Sequence, residues 1–423
     1  MADWGKIIEK NLSWLSTMKQ AKGYCGPVTH YWSDSLDYIG PGNDWRYEGL
    51  IKGFLGLYKK TGQKEFLAAS IECGDFVLAA QKKSGAYLNS AFEANPSFNH
   101  VGTPHESSVD IGLIELSKEL KSKHLEYQAY LRAAEINIKK IHYGKLYDPK
   151  EKTFMQYEKE RAKNVENKFV PNKIATTCEA LIGLYEMTHD ISHLKSAIDA
   201  AEIILKLQDN KEFSGGIYQA NDKKSIITFY TARCIPCLMK LYKHTKNKKY
   251  LEASKSAAVF IKKMWNPELG FEFGFLSNRE KLIKHVSPIF LAGSADIIKA
   301  LLLMKDYEKV REKKYLKGLL KAQDKSGGFQ TAYGLTERST GEEVHGKPSW
   351  KDVLHVVGWN DKALNLLTEI IDKDETIVKR PFEEVKISCS DGEYYETKEF
   401  IKISGQENYF LTKKRFFLMA VRD

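Results

Sequence analysis

Along most of this chain apolar residues return at the three- and four-residue spacing of a helix, and the polar positions between them sort the helices into two classes. After Lys64, the residues Phe66, Ala69, Cys73, Phe76, Val77 and Ala80 form one stripe, leaving Lys64, Glu65, Glu72 and Asp75 for solvent. That is the pattern of an outer, one-sided helix. By contrast, Gly49-Leu50-Ile51-Lys52-Gly53-Phe54-Leu55-Gly56-Leu57 is apolar nearly all round, which predicts burial on both sides. Its three glycines permit close helix approach.

The two classes alternate, and the alternation repeats. Gly56-Leu57-Tyr58-Lys59-Lys60-Thr61, Gly183-Leu184-Tyr185-Glu186-Met187-Thr188 and Lys240-Leu241-Tyr242-Lys243-His244-Thr245 each end an apolar helical stretch. Thr61 and Thr245 are separated by about three units of roughly 60 residues, a length suited to a helix pair with a long loop. A second marker closes units: Gln81 before Gly85-Ala86-Tyr87, Gln208 before Gly215-Gly216-Ile217-Tyr218, and Gln323 before Gly327-Gly328-Phe329.

These markers predict inner helices near 45–60, 104–120, 172–187, 226–244, 287–305 and 351–371. Outer helices are expected near 64–81, 125–141, 192–207, 248–264 and 308–322. The sixth inner helix then lacks a following partner, and the N-terminal helix at 4–20 fills the vacancy. The expected fold is all-α: an (α/α)6 toroid of six helical hairpins over 1–373, closed by the N-terminal helix. After Lys373 the pattern changes to short strands at 386–389, 400–403 and 416–419, with a turn at Asp391-Gly392. They predict a small C-terminal β-meander at 374–423, packed on the toroid as an appendage.

Composition narrows the function. The 423 residues carry a formal net charge of +10, with lysines set beside glutamates along outward faces, as on a solvated surface. No compact basic run with interleaved aromatics points to nucleic acid. No stretch is long and apolar enough to span a membrane, and Met1 to Lys10 does not read as a targeting segment, so a cytoplasmic protein is expected. Six cysteines dispersed through so large a chain argue against a disulfide framework. The sequence leaves the oligomeric state open.

Tandem helix pairs with apolar inner helices, Leu-Tyr-x-x-Thr ends and Gln…Gly-Gly-aromatic closers resemble the α/α-toroid proteins. These comprise the six-hairpin glycosidases with related polysaccharide-processing enzymes, and the terpenoid cyclase and protein prenyltransferase group. The likeness covers residues 4–372 and implies architecture rather than a reaction. The cyclases' Asp-x-Asp-Asp acid motif is missing from every inner-helix start, as is a zinc cluster of the prenyltransferase type. Cys234-Ile235-Pro236-Cys237 falls inside a helix, where a buried thiol pair beside a kink is expected. His105-Glu106 lacks the second histidine of a His-Glu-x-x-His zinc site, since Val109 stands in its place. No cofactor or metal is expected.

In such toroids the starts of the inner helices and their preceding loops line the cavity. Those positions hold Asp44, Trp45, Arg46 and Glu48, then His105, Glu106 and Asp110, then Tyr218, Tyr230 and Arg233, then Glu272 and His285, and finally Trp350, Asp352 and Trp359. Aromatic platforms, carboxylates and cations together suit a glycan, and an anionic, uronic-acid type in particular. Glycoside cleavage needs one protonated and one ionised carboxyl group across the bond. Glu106 and Asp352 are the nominated pair, with Asp44 as substitute. Trp45, Arg46, Glu48, His105, Tyr218, Tyr230, Arg233, Glu272, His285, Trp350 and Trp359 are the expected substrate-binding residues. The competing role for the carboxylates is helix capping: Thr103-Pro104-His105-Glu106 and Ser349-Trp350-Lys351-Asp352 both have capping-box form. Arg233, inside an apolar helix, requires a partner and is expected to face the cavity. The leading expectation is a carbohydrate-active enzyme, hydrolase or lyase-like. A non-catalytic glycan- or partner-binding toroid and an isoprenoid-handling protein are the alternatives.

Overall fold

A computed structural model of the chain describes residues 3–27, 38–39, 45–87, 106–279, 281–308, 312–335, 347–404 and 409–413. Asp44, His105 and the strand expected at 416–419 lie outside the described residues. Within them, twelve α-helices of nine residues or more alternate between an outer and an inner layer. The outer ones are α1 (Trp4–Met18), α3 (Lys64–Ala80), α5 (Gln128–Asn137), α7 (Ile191–Lys206), α9 (Lys248–Lys263) and α11 (Glu312–Leu320). The inner ones are α2 (Trp45–Thr61), α4 (Glu106–Ser122), α6 (Pro171–Thr188), α8 (Thr228–Thr245), α10 (Ser294–Leu303) and α12 (Val357–Ile370).

The inner helices close a ring. Each packs on the next, α2 on α4, α4 on α6, α6 on α8, α8 on α10 and α10 on α12, and α12 returns to α2. Every inner helix also packs on an outer partner, α1 serving α12. The structure is the six-hairpin α/α toroid. Because outer and inner helices alternate along the chain, all inner helices run the same way, with their N-termini at one mouth.

The repeated sequence markers are the joints of this ring. Thr61, Thr188 and Thr245 each donate the hydroxyl to a carbonyl one turn back, on Leu57, Leu184 and Leu241, at 2.8, 2.8 and 2.7 Å. The same oxygens accept from the backbone N–H of Gln63, Asp190 and Asn247 at 3.2, 3.3 and 3.2 Å, tying one helix end to the next helix start. The glutamines work between hairpins. Gln81 donates to Gly85 O and Ala133 O at 3.1 and 2.9 Å, and Gln208 to Gly215 O and Ala253 O at 3.0 and 2.8 Å. Gln323 repeats the pattern onto Gly327 O and, in the first helix, Ile7 O at 3.0 and 2.9 Å. Gly327 has φ +94°, and a Cβ there would meet the Lys10 carbonyl oxygen at 2.1 Å. Glycine is what allows the turn to lie on α1.

Two inner helices start later than their pattern suggests. Ile289 bridges to Tyr333, and the turn that follows donates from Leu291 and Ala292 to Thr331 O and Gln330 O, so α10 begins at Ser294 rather than near 287. Trp350–Val353 form a separate one-turn helix ended by an extended Leu354, so α12 begins at Val357 rather than near 351. The helix α5 continues as a π-helix over Ile138–Leu146. A three-stranded sheet, in the order β3-β2-β1, leads into α8 from β1 (Ser225–Ile227), with β2 at Gly274–Asn278 and β3 at Lys281–His285.

The C-terminal strands β4 (Val385–Cys389), β5 (Gly392–Glu396), β6 (Phe400–Ser404) and β7 (Tyr409–Thr412) pair antiparallel in chain order. The meander is as expected, but its described fourth strand is 409–412. A buried polar hub fixes it to α1. Glu396 accepts from Trp14 Nε1 at 2.9 Å and from the Tyr394 hydroxyl at 2.9 Å, and pairs with Lys413 at 2.7 Å. The Lys413 ammonium also donates to Thr17 Oγ1 at 2.9 Å.

Candidate active site at the mouth of the ring

The helix starts bring aromatic rings together. Trp45 opens α2 and Trp359 lies in the first turn of α12, their ring centroids 5.1 Å apart at 44°. Gly358 makes that contact possible, since a Cβ on it would stand 2.5 Å from Trp45 Cη2. Phe290, ahead of α10, lies 5.3 Å from Trp359, and Phe229, at the start of α8, lies 6.1 Å from it. Tyr230 packs edge-on to Phe229 at 4.4 Å. Trp45, Trp359, Phe229 and Tyr230 remain half-buried, so their surfaces reach solvent.

Charge lies beneath and beside these rings. Lys362, one turn into α12, pairs with Asp296 of α10 and holds its ammonium 5.5 Å from the Trp45 centroid and 5.9 Å from that of Trp359. Arg233 of α8 meets Glu48 of α2 at 2.8 Å and Glu179 of α6 at 3.5 Å. Helices α2 and α8 occupy opposite positions in the ring, so the Glu48–Arg233 pair crosses the bore. It forms a bar between the mouth and the deeper interior. Burial alone would raise the Glu48 pKa, but Arg233, Lys52 and Lys362 hold it well below the usual carboxylate range. Glu48 is therefore an anion at neutral pH.

Deeper in, the charged stripe continues: Lys52, Glu115, Lys118, Glu186, Lys240, His244, Lys299 and Glu369. Lys118 pairs with Glu115 at 2.8 Å and with Glu186 at 2.5 Å, and Glu186 meets His244 at 2.8 Å. Glu115 is half-buried, which opposes its ionisation, yet Lys240 and Lys118 lower its pKa to about 2. The inner helices are thus not apolar all round; each turns a polar stripe to the bore. The spacing of Glu48 and Lys52, of Asp296 and Lys299, and of Lys362, Asn365 and Glu369 was the sequence signal for it.

The expected site residues separate into groups. Trp45, Glu48, Tyr230, Arg233 and Trp359 gather at the mouth. Arg46 is buried beside Gly358, near Cys25. Glu272 is buried and pairs with Lys284 at 2.5 Å, while its carbonyl accepts from Thr228 Oγ1 at 2.7 Å at the head of α8. His285 sits opposite Gly274 in the same sheet, and burial lowers its pKa. Tyr218 belongs to the closing turn after Gln208, its N–H donating to Leu207 O at 3.0 Å and its ring 5.5 Å from the Lys223 ammonium.

The nominated carboxylates fall elsewhere. Glu106 accepts at 2.6 Å from Asn137 Nδ2, which also donates to Gly85 O at 2.9 Å. The same frame recurs where Asn11 Nδ2 donates to Asn360 Oδ1 at 3.0 Å and to Gly327 O at 3.4 Å. Glu106 thus occupies a joint between hairpins. Asp110, one turn further along α4, accepts from the Tyr87 hydroxyl at 2.8 Å, and burial raises its pKa well above the usual value. Asp352 completes the capping box of Ser349, accepting from Ser349 N at 2.9 Å and from Leu335 N at 2.7 Å. Trp350 stands beside the C-terminal sheet, its N–H donating to Asp391 Oδ1 at 2.9 Å. The structure therefore does not bring Glu106, Asp352 and Trp350 to the aromatic mouth.

Among the described residues no cluster of three His, Cys, Asp or Glu side chains has the form of a metal site. Cys234 and Cys237 are buried thiols on either side of Pro236 within α8, and burial pushes Cys234 above its ordinary pKa. No described helix is long and apolar enough to cross a membrane.

No protein-family model matches the sequence, and no curated protein matches it. Solved structures do. A sugar epimerase from a ruminal bacterium superposes with a TM-score of 0.64 at 11% identity, over 88% of this chain and 100% of that one. D-mannose isomerase gives 0.61 at 13% identity, over 87% and 97%. An unsaturated glucuronyl hydrolase specific for heparin gives 0.58 at 13% identity, over 88% and 100%. At these identities the likeness is one of fold, the α/α toroid of six-hairpin enzymes.

Proposed function

We propose that this protein is a carbohydrate-active enzyme that seats a sugar in the mouth of the ring, and that its reaction is cleavage of a glycosidic bond by hydrolysis or elimination. The observation that carries this reading is the half-exposed Trp45–Trp359 pair beside Lys362, with the Glu48–Arg233 bar closing the bore beneath. Aromatic faces accept the apolar face of a pyranose, and the adjacent ions accept or donate to its hydroxyl or carboxylate groups. A uniformly apolar cup, as an isoprenoid would require, is a poor match to this floor. That proteins of similar fold include a sugar isomerase, a sugar epimerase and a glucuronyl hydrolase adds weight to a sugar ligand.

In this reading Glu106 and Asp352 have framework roles. Asp44, adjacent in sequence to Trp45, is the carboxylate we nominate for proton transfer. The test is a thermal-shift screen against neutral saccharides, uronic-acid oligosaccharides and prenyl diphosphates. A ligand at a hundred times its Kd stabilises by about 2.7 kcal/mol. A saccharide should raise the melting temperature, Trp359→Ala should abolish the shift, and Asp44→Asn should retain the shift while losing turnover. A shift with prenyl diphosphates alone would sink the proposal.

A further inference from the structure

The closing turn after α11 and the C-terminal sheet meet at one buried histidine. The side chain of His355 is 0% exposed, and its Nε2 stands 2.5 Å from Asp324 Oδ2 and 3.9 Å from Glu396 Oε2. Gly328 makes room for the ring, since a Cβ there would fall 2.4 Å from His355 Cδ2. Trp14 of α1 and Tyr394 of β5 pack edge-on to the imidazole, with centroids 5.6 and 5.8 Å away. Asp324 is oriented by Ser326, whose N–H and hydroxyl both donate to Oδ1, at 2.8 and 2.5 Å. His355 also bridges Gln330 through its backbone, and α12 begins two residues on, with Trp359 in its first turn.

The charges at this joint balance only with an imidazolium. Asp324 and Glu396 are two anions in a site nearly closed to water. Lys413 Nζ lies 2.7 Å from Glu396 Oε1 and is held there by Thr17 Oγ1 and the Thr397 carbonyl, at 2.9 and 2.7 Å. One ammonium therefore answers Glu396, and His355 answers Asp324. A buried carboxylate that loses its cation is costly, so the state of His355 decides whether the closing turn and the sheet can stay together.

We propose that His355 is a pH-operated latch between the ring and its C-terminal sheet: as the imidazolium it holds Asp324 of the closing turn beside Glu396 of β5, and on losing its proton it releases the sheet. Burial opposes the imidazolium, but Asp324, with Glu396 behind it, raises its pKa above the ordinary value. Burial opposes the Asp324 carboxylate as well, and His355 brings that pKa below the ordinary value. With its folded pKa raised, the histidine's contribution is whole below about pH 6.5 and is lost as pH climbs from there through the folded value. The acid limit is set by Asp324, whose contribution is whole above about pH 4. The latch is thus closed in mild acid and opens toward alkaline pH.

This assignment does not depend on a sugar in the mouth. The intact protein is digested with proteinase K from about pH 6 to pH 9, with rates normalised at each pH to an unfolded reference peptide. Cleavage within 385–404 should be slow and constant at the acid end, then rise by up to roughly tenfold per pH unit above about pH 6.5 while the helical ring stays intact. His355→Gln should be cleaved rapidly at every pH, and Asp324→Asn, which keeps the imidazole but removes its anion, should also lose the rise. A sheet cleaved at one rate across the range in the unaltered protein would overturn the proposal. So would a rise kept in His355→Gln, which would put the titration on Lys413, or a ring cleaved in step with the sheet, which would make His355 a support of the whole fold.

Discussion

Arg233 and Glu48 come from opposite sides of the helical ring and meet at 2.8 Å across its axis. Removing one partner of such a buried pair leaves an uncompensated charge, at a cost of about 3–5 kcal/mol. Arg233→Met should lower the unfolding free energy by at most that order, since Glu48 and Glu179 lose their guanidinium but keep Lys52 at 3.0 Å and Lys240 at 3.6 Å. Adding Glu48→Gln should recover part of the loss. Denaturant melts of the single and double variants measure both, and a double variant no more stable than Arg233→Met would show that the crossing pair is not the source.

Gln323 closes the ring through Ile7, and Gln81 and Gln208 make the same bond between their own neighbouring hairpins. Each glutamine satisfies two backbone carbonyls from one amide. Gln323→Leu should cost about 1–3 kcal/mol for the two hydrogen bonds lost, and Gln208→Leu a similar amount. Urea midpoints at constant m-value check this. A Gln323 variant far less sensitive than Gln208 would mean that α1 does not depend on this joint.

The repeat made the ring legible in sequence because its joints are single residues with fixed jobs: Thr at the inner-helix end, Gln and Gly at the turn. Helix starts were less legible. Residues 287–293 and 351–356 keep an apolar spacing, but backbone pairing with 330–333 and the Ser349 capping box hold them out of α10 and α12. At the site, the sequence singled out Trp45, Glu48, Tyr230, Arg233 and Trp359, all within the first turns of inner helices. It passed over Phe229, Phe290, Asp296 and Lys362, since an aromatic beside a helix start or a charge on an amphipathic pattern looks like core or surface until the ring is closed. Glu106 and Asp110 misled for the reverse reason. Their charged side chains were assigned to the cavity, whereas the fold spends them on the joints around Gly85.

His142 lies fully buried in the π-helix, its ring edge-on to Phe154 at 6.1 Å. Burial lowers its pKa to about 4. The folded state therefore holds it neutral while the unfolded chain, with an ordinary imidazole near 6.5, takes up a proton first. Stability contributed by this site is present above about pH 6.5 and is lost as pH falls toward 4, by roughly 3 kcal/mol. His142→Leu should flatten the stability profile between pH 6.5 and 4 while leaving a further loss below pH 4.5, where the unfolded chain's carboxylates take up protons that Glu115, held down to about 2 in the fold, does not. Urea midpoints across pH 7 to 4 measure it, and an unchanged slope in the variant would remove His142 as the cause.

Glu396 gathers Trp14, Tyr394 and Lys413 in a site with almost no solvent, so the C-terminal sheet is fixed to α1 through one carboxylate. Glu396→Gln leaves the Lys413 ammonium without its anion and should destabilise by about 3–5 kcal/mol. If the sheet loosens before the ring unfolds, proteolysis will nick residues after 374 while the helical core stays intact. A variant that unfolds in one step, with no early cleavage of the sheet, would show that sheet and toroid form a single cooperative unit.

Gly358 is the residue whose missing side chain lets Trp45 lie against Trp359, and this gives a test of the mouth that leaves both rings in place. In Gly358→Ala the new methyl group would stand 2.5 Å from Trp45 Cη2 and 3.2 Å from Arg46 Cγ, so the Trp45 ring must move outward. Loss of one aromatic contact of about 0.5–1.5 kcal/mol sets the expected fall in stability. The same displacement spoils the platform for a flat pyranose face. Saccharide affinity should drop roughly two- to ten-fold or more, with tryptophan fluorescence reporting the altered pair. Lys362→Met probes the neighbouring charge: it should weaken a uronic-acid oligosaccharide more than its neutral counterpart, because only the former loses an ion. Equal losses for the two ligands would place the carboxylate elsewhere, and unchanged affinity in both variants would take the sugar out of the mouth altogether.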